Sequence, residues 1–401
     1  MTPWLSVVGC GPNGWADVPP AACPLILEAE VVFAADRLRP TLPQVAGEVR
    51  SWPTPFSDAL AAVEALRGRR VCVLASGDPM WFGVGASLAR RVPPAEMTVI
   101  PAPSAFALAA ARLAWPLQEV ATLSLHGRPL AGINGHLSPG ARLLILSRDG
   151  DQPAEVATHL AQRGFGPSRL WVLEDLDGPA ERIVEGTAAA WPGGPCADLN
   201  VLAVEARAAP GTAVPAPTPG LPDAFFRHDG RLTKREVRAA TLAALEPRPG
   251  SHLWDVGAGC GAVAVEWARA APGARATAVE PRADRRAFIA DNAAALGVPD
   301  VAAVAGEAPG ALAGLDRPDA VFVGGGAATP GVLEAAWAAL PPGGRLVANT
   351  VTLEGERAVH AMADAHGGER VRLSVAHATA VGGFTAWAGK RPVVQWRGIK
   401  G

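Results

Sequence analysis

The sequence predicts an α/β protein built from two parts, and three observations carry this prediction. Short β-rich runs alternate with helix-length segments along most of the chain, which is typical of parallel sheets covered by helices. A tract rich in proline, alanine and glycine at 208–220 interrupts this alternation and has no hydrophobic periodicity. The length of 401 residues also favours two or three domains over a single core. We therefore expect two separately folding parts, 1–207 and 221–401, joined by a semi-stiff linker at 208–220.

The first part divides into two predicted lobes. Up to about residue 102, β-rich runs and a helix at 57–66 predict a parallel sheet. From about 103 to 207, a helix at 104–113, further strands and a helix near 154–163 predict a second lobe. The strands are predicted at 4–9, 31–34, 70–75 and 98–101 in the first lobe, and at 121–125, 142–146, 170–173 and 200–204 in the second.

The second part predicts a doubly wound, Rossmann-like sheet. A helix at 234–245 precedes a series in which strands and helices alternate, the order found in open sheets that bind ligands at the carboxyl ends of their strands. Two late runs, 370–375 and 392–396, are expected to supply the last strands. The strands of the series are predicted at 253–256, 276–280, 301–304, 320–323 and 345–349.

Composition excludes several classes of function. The formal net charge is −2 and no long basic run occurs, which argues against binding of nucleic acid. The apolar stretches are strand-length, so we expect no membrane partner, and the N-terminus lacks the basic region of a signal peptide, so we expect a cytoplasmic protein. The five cysteines are scattered without the spacing of metal ligands, which predicts no metal site.

The motif that carries chemistry is the glycine-rich loop 255–261, between the first strand and helix of the second part. Glycines allow the backbone to approach a ligand, and the following helix start offers free N–H groups. Glu280 ends the second strand, where a carboxylate can accept both ribose hydroxyls of an adenosine ligand. Loop and carboxylate together leave NAD and S-adenosylmethionine both open. The candidate cofactor-binding residues of the loop are Asp255, Gly257, Ala258, Gly259, Cys260 and Gly261.

Two neighbouring features favour the methyl donor. Asp255 precedes the first glycine, and Gly306, Glu307 and Ala308 follow the third strand; the alternative for Asp255 is that it only caps the turn. Three glycines at 324–326 follow the fourth strand, where amino-group methyltransferases often carry an Asn/Asp-Pro-Pro-aromatic signature. Its absence favours a carbon or oxygen acceptor. The three glycines either make room for a bulky substrate or form a flexible loop.

Long segments of the second part also carry a family pattern, at 220–230, 232–238, 253–261, 306–309 and 342–354. Through them this part resembles the C-terminal methyltransferase component of cobalamin biosynthesis, which methylates precorrin-6Y at C15 and decarboxylates it. The resemblance covers nearly all of 221–401. It implies that Thr233 contacts the cofactor.

The first part carries a second set of segments, at 9–14, 75–79, 101–104 and 123–128. Through them it resembles the tetrapyrrole methylase family, in particular its C5-methylating members. Asn13 stands where the family's Gly-x-Gly-Pro-Gly loop has its last glycine, and we expect it to adopt the left-handed geometry that the turn requires. Asp78 is either a binding residue or a turn residue before Pro79. The resemblance implies cofactor contacts at Gly9, Gly11, Pro12, Gly77, Asp78, Pro79 and Ser104.

Both parts together resemble the precorrin-6Y C5,15-methyltransferase (decarboxylating) family. The resemblance implies a two-lobed tetrapyrrole-methylase fold followed by a Rossmann-like methyltransferase domain, with one S-adenosylmethionine site in each. It implies a precorrin substrate, methylated at C5 by the first part and methylated at C15 and decarboxylated by the second, and we expect a homo-oligomer. Two rivals stay open: an NAD-dependent oxidoreductase, and a first part that serves only as a scaffold.

Basic residues cluster at the start of the second part, where they could hold the carboxylates of such a substrate. We predict this role for Arg227, His228, Arg231 and Lys234. For Arg235 and Arg238 the alternative is a solvated helix face. His126 and His377 are interpreted as ordinary histidines, and no catalytic residue is assigned.

Overall fold

The computed structural model describes residues 3–401, except for the side chain of Ser57, and contacts divide the chain into two compact units. The first unit comprises residues up to Arg128 together with Leu137–Thr212, and the second comprises Pro129–His136 together with Ala213–Gly401. The predicted boundaries at 207 and 221 stay a prediction. The segment 208–220 contains no helix or strand.

The first lobe of the first unit is an all-parallel sheet in the order β3-β2-β4-β1-β5. The interior strand β1 is buried along its whole length, because a parallel sheet is covered on both faces. The strand β3 was not predicted, since none of its three residues is buried and two of them are charged. The elements are β1 (Leu5–Cys10), α1 (Cys23–Leu27), β2 (Val31–Phe33), β3 (Glu48–Arg50), α2 (Ala59–Glu64), β4 (Val71–Ser76), α3 (Val84–Leu88) and β5 (Met97–Ile100).

The second lobe is a mixed sheet in the order β6-β7-β10-β8-β9, in which only β6 and β7 run parallel. Helix α4 belongs to this lobe, because Phe106 packs in one cluster with Leu144 and Trp171. Strand β9 was missed because none of its residues is buried and it lacks an apolar face. The elements are α4 (Ala105–Leu113), β6 (Val120–Ser124), β7 (Arg142–Leu146), α5 (Gln152–Leu160), β8 (Arg169–Glu174), β9 (Arg182–Thr187) and β10 (Asn200–Glu205).

The main sheet of the second unit has the order β13-β12-β11-β14-β15-β19-β16, which confirms the doubly wound prediction. Its first five strands are parallel, and β19 runs antiparallel to both of its neighbours. The elements are α6 (Arg235–Leu245), β11 (His252–Val256), α7 (Ala262–Ala270), β12 (Arg275–Val279), α8 (Ala283–Ala295), β13 (Ala302–Val304), β14 (Ala320–Val323), α9 (Val332–Ala339), β15 (Arg345–Thr350), α10 (Leu353–His366), β16 (Glu369–Leu373), β17 (Ala376–Val381), β18 (Phe384–Gly389) and β19 (Val393–Ile399).

Strands β17 and β18 form a separate two-stranded hairpin that the sequence did not predict. All of their residues are exposed, and Phe384 and Trp387 are 85% and 77% exposed. Small residues and threonine dominate both strands, so the alternation that marks a half-buried strand is missing. The predicted runs on either side of the hairpin are confirmed as β16 and β19.

A buried ion pair joins α6 to α7 and holds the chain that leads into the second unit. Arg238 and Glu266 are almost fully buried, and Arg238 Nε donates to Glu266 Oε1 at 2.7 Å. The same guanidinium donates to the carbonyl groups of Leu221 and Thr233, and Glu266 accepts from the N–H groups of Gly220 and Leu221. Asp223 accepts a further bond from Arg238 at 3.2 Å. The segment 220–233 is thereby fixed against two core helices.

Glu266→Ala should destabilise the second unit strongly, because it leaves a buried guanidinium and two backbone N–H groups without their acceptor. We expect a loss of about 3–5 kcal/mol in the free energy of unfolding. Urea unfolding of the full chain, followed by tryptophan fluorescence, measures it. Asp284→Asn breaks an exposed pair with Arg282 and should leave the transition in place. Equal shifts for both variants would contradict the prediction.

Candidate active site

A cavity of about 1150 Å³ opens at the carboxyl ends of the strands of the second unit. The loops after β11, β14 and β15 form its floor, and the segment before α6 forms one wall. In such sheets ligands bind at this edge because loops from neighbouring strands converge there. The cavity is therefore the candidate active site of the second unit.

The glycine loop lines this cavity through Gly257, Ala258, Gly259 and Cys260. Gly257 has φ 71°, and a Cβ on it would lie 2.8 Å from the carbonyl oxygen of Gly325. Glycine is needed at 257 both for this backbone geometry and for the close approach of the loop after β14. The three glycines at 324–326 line the cavity as well, so they leave space at its floor.

Glu280 directly follows β12 and is 3% exposed. Its carboxylate accepts from Gly259 N at 2.9 Å and from Arg282 N at 3.1 Å, so it fixes the glycine loop. Arg285 lies 4.0 Å from Glu280 Oε1, bonds to Asp229 and lines the cavity. The sequence analysis missed Arg285, because it stands inside α8 without any motif around it.

Asp255 lies beneath the loop and does not line the cavity. Its Oδ2 accepts from Ala264 N at 3.0 Å, in the first turn of α7, while its buried Oδ1 has no hydrogen-bond partner among the described residues. Burial raises the pKa of this carboxyl group from 3.8 to about 7. This position agrees with the alternative role that the sequence left open, in which Asp255 caps the turn. Gly261 precedes α7 and has no side chain, so Asp255 accepts the hydrogen bond from the start of the helix instead.

The structure brings only some of the predicted site residues to the cavity. Thr233, Arg231 and Lys234 line it together with the glycine loop. The predicted residues of the second unit that do not line it are Asp255, Gly261, Glu280, Gly306, Glu307, Ala308, Arg227 and His228. For these residues a role in binding stays a prediction.

The basic cluster separates into different environments. Arg227 pairs with Asp291 at 2.5 Å, and His228 Nδ1 accepts from the backbone N–H of Gly230. Arg235 lines the cavity, but its Nε donates to the carbonyl group of Gly220. For Arg238 both sequence-based alternatives, a clamp and a solvated helix face, are wrong, because its side chain is fully buried against Glu266.

Besides Arg285, the cavity residues that were not predicted as part of a site include His377, Lys390 and Arg391, which belong to the hairpin and its base. No acidic partner of Lys390 or Arg391 occurs among the residues that the structure describes. The signal that could have found them is the scarcity of lysine, since the chain has only three lysines and two of them line this cavity. Because these residues are far from Arg231 and Lys234 in the sequence, no local pattern showed that both sets line the same cavity.

In the first unit, the predicted loops after β1, β4 and β5 converge. A Cβ on Gly9 would lie 2.5 Å from Gly77 O, and one on Gly77 would lie 3.5 Å from the Cα of Ser104. Ser104 caps α4, since its Oγ accepts from Ala107 N. Asp78 accepts from Met80 N, which is the bond expected of a turn residue. These contacts explain the glycines of the loops, and the cofactor role stays a prediction.

The loop after β1 accommodates Asn13 at the position where the family's loop has its last glycine. Asn13 has φ −81°, so the expectation of left-handed geometry at this residue is wrong. Gly14 takes the positive φ of 63° instead, and Asn13 bonds to Asp17 through its backbone N–H and its side chain. A Cβ on Gly11 would also meet Asp17, and Pro12 lies between Gly11 and Asn13.

Within residues 3–401, no helix is long and apolar enough to cross a membrane. In the same part of the chain, no group of three or more histidine, cysteine, aspartate or glutamate residues could hold a metal ion.

Comparison with known proteins identifies the family. The model of the precorrin methyltransferase domain matches residues 224–400, and the model of the tetrapyrrole (corrin/porphyrin) methylases matches residues 5–191. A precorrin-6Y C(5,15)-methyltransferase (decarboxylating) from a Sinorhizobium species is 46% identical over 405 residues, covering 100% of this chain and 97% of the relative. The chain belongs to the precorrin-6Y C5,15-methyltransferase (decarboxylating) family. It is a methyltransferase.

Two further members of the precorrin-6Y C5,15-methyltransferase family have similar sequence identity to this chain. A Mycobacterium tuberculosis protein of the same name is 41% identical over 399 residues, which is 98% of both chains. The crystal structure of the C-terminal domain of the Rhodobacter capsulatus protein is 46% identical, covers 46% of this chain and 100% of that domain, and has a TM-score of 0.44.

Asp255 should make the methyltransferase less stable as the pH rises. Its folded-state pKa of about 7 lies above its usual value of 3.8, so the folded chain binds more protons between these values. The contribution to stability is fully present below about pH 4 and is lost as the pH rises through 7, with a slope of at most about 1.4 kcal/mol per pH unit.

Asp255→Asn should remove this part of the pH dependence, because an amide does not ionise. The measurement is the free energy of urea unfolding between about pH 5 and about pH 8. Asp291→Asn, which changes a half-exposed carboxylate, serves as the matched control. Parallel pH profiles for the wild type and Asp255→Asn would contradict the assignment.

Proposed function

We propose that the chain transfers methyl groups from S-adenosylmethionine to C5 and C15 of precorrin-6Y and decarboxylates its ring-C acetate. The names of its relatives support this reaction. The observation that carries it for the second unit is one cavity in which the glycine loop meets several cations, of which Arg231, Lys390 and Arg391 have no acidic side-chain partner among the described residues. A loop of this kind fits an adenosine ligand, and free cations fit a substrate with many carboxylates.

The position of Asp255 supports S-adenosylmethionine over a dinucleotide. A dinucleotide places its pyrophosphate at the N-terminus of the helix that follows the glycine loop, where N–H groups are free. Here a carboxylate already accepts from Ala264 N in the first turn of α7. The N–H group of Ala264 is therefore not available to a pyrophosphate oxygen. S-adenosylmethionine carries no phosphate and does not need this group.

The residues around the loop suit the methyl donor in other respects. Glu280 lies at the end of β12, where ribose hydroxyls can donate to acceptor sites that its two backbone bonds leave free. Thr233 and residues 257–260 line the adjoining cavity. Bound S-adenosylmethionine supplies an electrophilic methyl group, and the task of the protein is to hold the acceptor carbon in line with it.

The substrate is held, in this proposal, by cations on two sides of the cavity. Arg231 and Lys234 lie before α6, whereas Lys390 and Arg391 follow the hairpin. Lys234 forms a long ion pair with Asp223, with 3.6 Å between Nζ and Oδ2. Acetate and propionate groups project from all edges of a precorrin, so cations on two walls can orient the ring.

For the first unit we propose the C5 methylation, with its donor held by the converging loops at Gly9, Gly77 and Ser104. The match of residues 5–191 to the tetrapyrrole methylases supports this assignment. The scaffold alternative differs in one respect: it predicts that changes in these loops leave the product unaltered.

Each unit should respond separately to changes in its own loop. Asp78→Ala should lower C5 methylation at least about tenfold, and Gly259→Ala should do the same for C15 methylation, because displaced donors lose in-line geometry. The products are mapped by mass spectrometry and NMR after incubation with precorrin-6Y and S-adenosylmethionine. Unchanged C5 methylation in Asp78→Ala would refute an active role of that residue and favour the scaffold.

The cation walls should matter for the substrate and little for the cofactor. Lys390→Ala/Arg391→Ala should weaken binding of precorrin-6Y about tenfold or more, as should Arg231→Ala/Lys234→Ala, because charge-assisted bonds to carboxylates are lost. Binding of S-adenosylhomocysteine, measured by calorimetry, should stay within about twofold.

Arg370→Ala/Arg372→Ala is the matched control for the cation walls, since these arginines on β16 pair with Asp364 and Glu356. It should affect neither ligand. Equal losses of substrate and cofactor binding in the wall variants would refute the clamp. Binding of NADH without binding of S-adenosylhomocysteine would refute the methyl donor itself.

A further inference from the structure

The proposed decarboxylation needs a proton, and the residues predicted from the sequence supply no donor for it. Loss of CO2 from an acetate side chain leaves an electron pair that the conjugated ring accepts, and the former CH2 carbon must then gain a proton to become a methyl group. A proton donor works best when its pKa lies near the working pH. The cavity of the second unit should therefore contain such a group.

Most acidic groups around the cavity are unsuitable. The Cys260 thiol is 2% exposed, and burial raises its pKa to about 11. Lysine and arginine side chains ordinarily hold their protons far above neutral pH. Asp223 accepts from Arg238 and lies 3.6 Å from Lys234, so it is occupied by cations.

His377 is the sole imidazole among the cavity-lining residues that the structure describes. Its side chain is 49% exposed, so it can regain a proton from solvent after each turnover. Its Nε2 lies 3.8 Å from Glu236 Oε1, and no partner of its Nδ1 occurs among the described residues. In an imidazolium both nitrogens carry a proton, so the Nε2 proton lies on the side of Glu236 and the Nδ1 proton is available.

The hairpin turns this imidazole toward the cavity. Lys390 N donates to Val375 O at 2.8 Å and closes the hairpin at its base, two residues before His377. Alternate residues of a strand share a face, and directly opposite residues share that face as well. Val375, His377 and Lys390 therefore lie on one face, and all three line the cavity.

We propose that His377 is the proton donor of the decarboxylation and that Glu236 is its positioning residue. The inference rests on the proposed function. The bond between the acetate CH2 and its carboxylate carbon breaks, CO2 leaves, and the electron pair enters the ring. The pair then returns to the CH2 carbon, which takes the Nδ1 proton, and the neutral imidazole keeps its Nε2 proton directed at Glu236.

The wall beside His377 also suits the leaving carboxylate. Leu373, Val375 and Val393 line this part of the cavity. A carboxylate held by a cation is stabilised before the reaction, whereas one against apolar side chains loses that stabilisation and departs more readily. The cations Lys390 and Arg391 then serve the carboxylates that stay on the ring.

The test uses the full chain with precorrin-6Y and S-adenosylmethionine, and mass spectrometry follows methyl addition and CO2 loss separately. His377→Gln should slow CO2 loss about 100-fold, the usual contribution of a general acid, while C5 methylation and binding of S-adenosylhomocysteine stay at wild-type level. Glu236→Gln should slow CO2 loss to a lesser extent. His360→Gln, at an exposed position of α10, should change nothing.

Chemical rescue separates donation of a proton from a structural role. Added imidazole should restore CO2 loss in His377→Ala and should leave the wild type unchanged. Wild-type CO2 loss in His377→Gln, or a slow His377→Ala that imidazole does not restore, would overturn the inference. A wild-type chain that adds no methyl group to precorrin-6Y would instead refute the proposed function.

Discussion

The buried pair of Arg238 and Glu266 is the interaction on which the candidate site of the second unit depends. It links α6 to α7 and, through carbonyl and N–H groups, holds the segment 220–233. That segment carries Arg231 and Thr233 into the cavity wall, and α7 begins at the glycine loop. Because breaking a buried pair strands a charge, this wall is coupled to the stability of the core.

The cavity combines elements that contribute different chemistry. The floor is made of backbone, since glycines at 257–261 and 324–326 allow two loops to approach each other. The walls carry charge, from the segment before α6 on one side and from the base of the hairpin on the other. Behind the cavity lining, Glu280 accepts from the backbone N–H of Gly259 in the loop, and Asp255 accepts from that of Ala264 at the start of α7. A precorrin methyltransferase needs all three, because it needs space for its substrate, cations that contact the substrate carboxylates and a fixed position for the methyl donor.

Sequence patterns predicted the main elements because each depends on local properties. Hydrophobic periodicity marked the core strands and helices, and the loop 255–261 stood out because only glycine fits its backbone. The patterns failed where burial is absent. No apolar alternation marks the exposed hairpin β17–β18, the edge strand β3 or the polar strand β9. These strands are defined only by their hydrogen bonds to neighbouring strands.

The sequence by itself determined the α/β class, the positions of the core strands along the chain, the glycine loops and the family resemblance. All of these follow from residue types at short spacing. Only the tertiary structure decided which charged groups meet. It buried Arg238 and turned Arg227 toward Asp291, and it brought His377, Lys390 and Arg391 to a cavity whose other wall stands about 150 residues earlier in the chain. Ion pairing and burial depend on distances between remote segments, which no local pattern records.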